Sequence, residues 1–484
     1  MSYLLTLTDV HANARGRTET LCLDYDPTVS RLTVAGRENM PVRHPAFDRE
    51  GPVSWPVPHR VAPDNPGRKS GIRTLKIQMG FKCNYACAYC NQASWNTFLG
   101  GAVEDAKLFL RNLDTWFGTE QDRQDGGRNL RIEFWGGEPF VYWAKLKILS
   151  ETLRRRYPKA RFNIITNGSL LDDEKVDWLI AHRFGIQISH DGPAQKYRHP
   201  EDILDDPEKC RLIRQLMQAA GQLNGPENTA SENAEDDAMP RFGFGFGTVL
   251  TRWNYSLAAV RRHIEDKLGV PPGSISSNTE EILLPYDDEA MTCVPQSEQE
   301  HRQALHTLFS EAANGETIPG CNSVRDKIED FLSSLSTGRP IAALGQKCGM
   351  DREDTIAVNL MGEVTTCHNV SAADAHHNLG NVRNLDAVRL DTAHHHQTRD
   401  ECRNCPVVQL CKGSCMFLEG PYWQAACDVS FTYNLAMLAA ALHYLTGMTL
   451  TRIETKDRGF IRRPGVSSTE VIRLAPTEDA VIHA

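Results

Sequence analysis

From Leu75 to about residue 313 the chain alternates short apolar runs with longer stretches in which apolar residues recur every three or four positions. The runs Leu75–Met79, Leu130–Trp135, Phe162–Thr166, Gly185–Ser189, Phe242–Leu250 and Glu281–Pro285 predict strands. Between them, residues 103–117, 142–157, 172–182, 204–221, 255–268 and 296–313 carry the spacing of amphipathic helices. Strand–helix alternation implies a parallel sheet with right-handed crossovers. The expected fold class is therefore α/β, a partial (β/α)6 barrel over 73–315, with its chemistry on loops after the carboxyl ends of the strands. Gly243-Phe-Gly245-Phe-Gly247 has a period of two and no following Lys-Ser/Thr, so it reads as strand, not as a phosphate loop.

The flanks follow other patterns. Residues 1–72 form an extension with strand signals at Leu4–Leu7, Thr20–Tyr25 and Arg31–Ala35, then a Pro-, His- and Gly-rich linker over 41–66. Asn224–Pro240 is acidic and almost free of large apolar residues, as a solvated surface loop would be. A helical connector is expected over 316–344 and a loop-rich domain over 345–430, where seven cysteines accompany little periodicity. Residues 431–484 are expected to hold a helix and a tail. The apolar stretch Phe431–Leu445 contains Asn434 and His443, falls short of a membrane span, and predicts a buried helix.

The composition, 40% hydrophobic and 24% charged over 484 residues, is that of a globular chain able to bury large cores. A net charge of −9 argues against nucleic acid as the main partner. The N-terminus lacks a signal-peptide pattern, so a cytoplasmic location with reduced thiols is expected. There, crowded cysteines point to metal ligation more than to disulfides.

Cys83, Cys87 and Cys90, spaced C-x3-C-x2-C, follow the first barrel strand. Three thiolates suit three irons of a [4Fe–4S] cluster and leave the fourth open. Zinc, or a buried cysteine stripe on a helix, are the bland alternatives. Gly136-Gly137-Glu138-Pro139 ends the second strand, Asn167-Gly168 the third, and Ser189-His190-Asp191-Gly192 the fourth. Each alone reads as a turn. Their order on successive strand ends makes a site.

This arrangement resembles the radical S-adenosylmethionine (radical SAM) enzymes. The resemblance implies that the open iron is chelated by SAM and that one electron from the cluster yields a 5′-deoxyadenosyl radical. It implies that Tyr89 lies near the adenine, and that Gly136, Gly137, Glu138 and Pro139 contact the methionyl amino group. Asn167, Ser189 and Asp191 would approach the ribose and methionyl portion, with Arg198 a weaker candidate.

Further on, Cys348 and Cys367 flank Gly362, and Cys402, Cys405, Cys411 and Cys415 precede Cys427. Such spacing is a metal signal, and two structural zinc sites would account for it. The order C-x13-G-x4-C, C-x2-C-x5-C-x3-C, C also resembles the SPASM extension of radical SAM enzymes. That likeness implies two auxiliary [4Fe–4S] clusters, one on Cys348, Cys367 and Cys415, the other on Cys402, Cys405, Cys411 and Cys427. Some members have a further cysteine where this chain has Ala342. The first cluster would then have an open iron, or take Cys321 or a non-cysteine ligand. Cys22, Cys210 and Cys293 read as ordinary thiols, and the histidine runs 376–377 and 394–396 as solvated loop.

Many SPASM proteins modify peptides. The resemblance implies a maturase that abstracts hydrogen from a ribosomally made peptide or small protein and installs a thioether, ether or carbon–carbon cross-link. Its partners would be that precursor, a one-electron donor such as flavodoxin or ferredoxin, and a separate leader-binding protein if the N-terminal extension does not serve. No membrane partner is expected. Sulfatase-type formylglycine formation is the alternative, disfavoured because His368 stands where those enzymes carry an acidic base. A non-catalytic, metal-stapled binding module is the alternative from another class.

Overall fold

The computed structural model describes residues 2–9, 19–47, 53, 55, 69–96, 101–223, 240–315, 320–390, 394–455 and 468–472. The acidic stretch 224–239 and most of the linker 41–66 lie outside the described residues.

The parallel strands are β5 (Thr74–Gln78), β6 (Arg131–Trp135), β7 (Arg161–Thr166), β8 (Phe184–Ser189), β9 (Gly243–Leu250) and β10 (Ser277–Ile282). They lie side by side in chain order, with every neighbouring pair parallel. The helices Val103–Asn112, Trp143–Arg156, Asp173–Ala181, Pro207–Ala219, Leu257–Leu268 and Glu298–Ala313 match the periodic stretches. Local chemistry fixes several ends. The Asp172 carboxylate accepts from the Lys175 N–H at 2.9 Å, and Ser256 Oγ from the Ala259 N–H at 2.9 Å. Ile77, Ile132, Phe134, Phe162, Phe184, Ile188 and Phe246 are buried along the sheet and form one core with helix residues such as Leu146, Leu149 and Val176.

The last barrel strand begins four residues before the apolar run that predicted it. Ser277-Asn278-Thr279-Glu280 carries no apolar side chain, so its pairing with β9 leaves no trace in the hydrophobic pattern.

The larger departure lies in the segment expected to be loop-rich. There β11 (Thr355–Asn359) pairs parallel to β5, and β12 (Glu363–Thr365) and β13 (Asn378–Asn381) follow antiparallel. The barrel sheet thus grows to nine strands. β11 is a five-residue run with four consecutive buried positions, too short and too uniform to show a period.

The chain ends meet. β1 (Tyr3–Thr8), β2 (Thr20–Asp26), β3 (Arg31–Val34) and β4 (Arg37–Pro41) are joined by β14 (Thr449–Thr455) and β15 (Ser468–Glu470) in a six-stranded sheet ordered β15-β14-β1-β2-β3-β4. β14 runs antiparallel to β1, Tyr3 opposite Thr455.

The helix Gly420–Thr446 crosses residue 430 and extends eleven residues upstream of the apolar stretch that predicted it, started by Pro421 in its first turn. Its apolar window would suit a bilayer by length and composition, yet 78% of that window is buried inside the fold. Apolar on all sides, it packs most extensively against Glu298–Ala313.

Candidate active site

Cys83, Cys87 and Cys90 sit in an irregular loop after β5, not on a helix, which removes the reading of a helical cysteine stripe. The loop is held from several sides. The Cys83 N–H donates to Asn96 Oδ1 at 2.8 Å and the Lys82 N–H to Tyr142 Oη at 2.5 Å. The Gly137 N–H reaches Gly80 O and the Glu138 N–H reaches Lys82 O, both at 3.1 Å. A Cβ on Gly137 would stand 2.2 Å from Phe81 O and 2.7 Å from Lys82 O. Glycine is therefore required there by the cysteine loop itself.

Burial pushes the Cys83 thiol up to about 11 and the Cys87 thiol up to about 12, with Arg198 opposing the latter; Cys90 is raised too. Protonated thiols are poor ligands, and a bound metal reverses the balance by stabilising the thiolates.

Glu138 is 1% exposed. Its carboxylate accepts from Phe140 N–H (3.1 Å), Thr166 Oγ1 (2.8 Å) and Asn167 N–H (2.8 Å). Burial raises its pKa and these hydrogen bonds oppose the rise. Glu138 thus staples the carboxyl end of β6 to that of β7, and Pro139 opens the short helical turn behind it. Asn167 Nδ2 donates to Asn84 Oδ1 at 2.9 Å, and Asn84 Nδ2 to Ser169 Oγ at 2.8 Å, tying the β7 end to the cysteine loop. Ser189 ends β8, half-buried.

The Tyr89 hydroxyl donates to the Asp191 carboxylate, which also accepts from Arg198 Nε (3.3 Å), Thr248 Oγ1 (3.3 Å) and the Val249 N–H (3.1 Å). Arg198 Nε also reaches Tyr89 Oη at 3.1 Å. Tyr89 and Asp191 are therefore joined in a buried network crossing from the cysteine loop to β8 and β9. The expected residues do meet at the carboxyl ends of β5 to β8, where the side chains of Tyr89, Asp191 and Arg198 are engaged with one another.

Two further cysteine groups lie beyond the barrel strands. Burial, then Cys415, Cys367 and Cys348, raises the pKa of the Tyr286 phenol, just past β10, well above the usual phenol value. Cys402, Cys405, Cys411 and Cys427 line one small cavity with Trp423 and Phe431. Burial, then Cys411, Cys405 and Cys427, raises the Cys402 pKa. Among the described residues, the ligand atoms of His190, Asp202 and His263 lie within 4.8 Å of one another.

The His190 group is a staple. The Gly192 N–H donates to His190 Nδ1 at 3.0 Å, so the ring proton sits on Nε2 and goes to Asp202 at 2.8 Å, with His263 on the other carboxylate oxygen at 3.4 Å. Cys321 is buried at the start of the Asn322–Thr337 helix, its Sγ 3.4 Å from Ser323 Oγ. The 394–396 histidine run departs from the solvated loop expected. His395 and His396 are buried and bonded to Asp351 (3.1 Å) and Leu344 O (3.0 Å), because the segment before Cys348 packs over them. His368 stacks at 3.7 Å on Trp135, beside the Gly136 turn, and burial lowers its pKa well below the usual imidazole value, helped by Lys76.

Asn84, Asn96, Tyr142 and Tyr286 escaped the sequence reading. Asn84 lies inside the C-x3-C spacing and Asn96 six residues past Cys90; Tyr142 and Tyr286 act on the site from distant elements and carry no local signal.

A parallel α/β sheet with a three-cysteine loop after its first strand and a Gly-Gly-Glu-Pro turn after its second is an arrangement that resembles the radical SAM fold. A solved structure bears the fold out. Native anSMEcpe with bound AdoMet aligns with a TM-score of 0.50 and 16% identity over 77% of this chain and 99% of that one. Streptococcus suis SuiB bound to precursor peptide SuiA aligns at 0.44 and 13% over 72% and 73%. In sequence, the chain is 23% identical over 147 residues to the radical SAM cyclopropyl synthase TigE of Paramaledivibacter caminithermalis, 28% of this chain and 30% of that protein. The chain thus matches less than a third of the length of this curated relative. No protein-family model matches the chain.

Proposed function

We propose that the protein is a radical SAM enzyme that modifies a ribosomally made peptide or small protein. The observation that carries this reading is the Cys83–Cys90 loop locked by backbone hydrogen bonds onto the Gly136–Glu138 turn at the barrel mouth. Cys83, Cys87 and Cys90 would hold a [4Fe–4S] cluster, with SAM on its open iron. When bound, the pair supplies a hydrogen-abstracting 5′-deoxyadenosyl radical.

The chain's own residues bind and position. Gly137 keeps the cysteine loop seated, and Glu138 and Asn167 hold two strand ends at fixed spacing beneath it. The Tyr89–Asp191–Arg198 network walls the site away from water at the β8 and β9 side. By the same resemblance, the Gly136–Pro139 turn would approach the SAM ammonium and Ser189 the ribose.

Cys402, Cys405, Cys411 and Cys427, which line one cavity, would hold a cuboidal cluster. Cys348, Cys367 and Cys415 would hold a second one, close to Tyr286. Auxiliary clusters give the electron released in bond formation a place to go, which supports cross-linking. The SPASM-like cysteine order supports a peptide substrate. Flavodoxin or ferredoxin would deliver the first electron.

The test is to incubate the reduced, reconstituted protein with SAM and each short peptide encoded beside its gene, then weigh the peptides. A peptide that loses two hydrogens and gains a new intrachain bond in its fragmentation supports the reading. Deoxyadenosine release with every such peptide left unchanged would contradict peptide modification.

A further inference from the structure

Among the described strands, Glu281 is the non-glycine residue with positive φ, +77°, at an irregularity in the pairing of β10 with β9. Left-handed backbone at a residue with a Cβ is strained, and such strain persists only where its surroundings impose it. Here the surroundings are charges. The buried Glu281 carboxylate pairs with Lys327 Nζ at 2.8 Å and Lys347 Nζ at 3.1 Å. Burial opposes ionisation of Glu281, yet the two ammonium groups hold its pKa low. A buried charge triad costs desolvation that an apolar trio would avoid, so stability alone does not explain it.

The triad borders Cys411 on both sides. Lys327 Nζ donates to the carbonyl of Leu410 at 2.7 Å and to Asn434 Oδ1 at 2.8 Å. The Lys347 N–H donates to the carbonyl of Lys412 at 3.0 Å. Lys412 and Ser414 also have positive φ, both +51°, so three of the five such non-glycine residues described gather around this one thiol. Of the charges nearby, that of Lys412 is answered by Asp330 at 3.1 Å.

We propose that Glu281, Lys327 and Lys347 set the reduction potential of the cluster held by Cys402, Cys405, Cys411 and Cys427. This rests on the cluster reading above. Reduction adds negative charge to a cluster, and local charge and burial are what tune its potential. The two ammonium groups favour the reduced form, and the carboxylate both fixes them in place and limits their effect. These are positioning residues; none touches substrate.

The experiment is an EPR-monitored potentiometric titration of the anaerobically reconstituted full chain carrying Cys83→Ala/Cys87→Ala/Cys90→Ala, which removes the SAM-site cluster. The signal lost on adding Cys427→Ala marks the cluster in question. Lys347→Met is expected to lower its midpoint potential, Glu281→Gln to raise it, and Lys347→Arg to return the parent value, all at unchanged iron content. Opposite shifts separate charge tuning from general damage, and Lys347→Met stands by itself if the strained Glu281 site tolerates no change. Full iron with potentials unmoved by Lys347→Met, or moved the same way by both substitutions, overturns the proposal alone. No iron bound at the C-terminal cysteines overturns the cluster reading and this proposal together.

Discussion

Gly137 has no room for a side chain, because the atoms nearest its missing Cβ are backbone carbonyls of the cysteine loop. Gly136 differs: its nearest neighbours are carbons of the Tyr142 ring at 3.2 Å, which can give way. Gly137→Ala is therefore expected to destabilise the reconstituted protein by about 3 kcal/mol or more and to cost iron at the Cys83–Cys90 site, whereas Gly136→Ala should cost about 1 kcal/mol or less. Denaturant unfolding and iron analysis compare the two. Equal effects would mean that the loop does not press on Gly137. At Asp191, Asn would leave Arg198 buried without its counter-charge, which costs about 3–5 kcal/mol. The same unfolding assay reads it. The importance of Gly137 was legible in the sequence, but the reason was not: the expected ligand contact is first a contact with the chain's own backbone. Tyr89 and Asp191 were likewise found as residues and not as a pair, since 102 positions separate them.

Asp202 joins three elements: it caps its own turn through Leu204 and holds His190 of the β8 loop and His263 of the Leu257–Leu268 helix. Burial opposes its ionisation, but the two imidazoles and the Leu204 N–H hold its pKa well below the usual carboxylate value. A folded-state pKa below the unfolded one gives stability that is complete above about pH 4 and is lost as pH falls through the folded value. The stability advantage of the native protein over Asp202→Asn should then be constant from about pH 7 to about pH 5 and shrink toward about pH 3. Unfolding measured across that range checks it; an advantage that grows on acidification would contradict the assignment. At this scale the amphipathic helices were legible because each shows one polar face. β10 was legible only at its end, for lack of apolar residues before it, and β11 not at all, for having little else.

For the molecule as a whole, the two chain ends close one sheet. β14 lies between β1 and β15, with Leu450 and Ile453 buried against the core that also takes Tyr3, Leu5 and Leu7. Removing residues 449–484 should expose the edge of β1 and make the first 41 residues sensitive to limited proteolysis, read by mass spectrometry of the fragments. Resistance equal to that of the full chain would show that the N-terminal strands hold together without β14. This closure was invisible in the sequence, because antiparallel pairing between Tyr3 and Thr455 leaves no local pattern. The barrel and its cysteine loop were visible, because strand–helix alternation and short cysteine spacings are local.

The central claim is that Cys83, Cys87 and Cys90 hold a cluster that cleaves SAM. It is tested most directly by anaerobic reconstitution followed by iron analysis and an assay of 5′-deoxyadenosine after reduction, for the native chain and for Cys83→Ala/Cys87→Ala/Cys90→Ala. The expected result is about twelve irons per native chain and about eight in the variant, as one four-iron cluster is lost, with deoxyadenosine formed by the native chain alone. Zinc in place of iron, or a reduced cluster that leaves SAM intact, would contradict it.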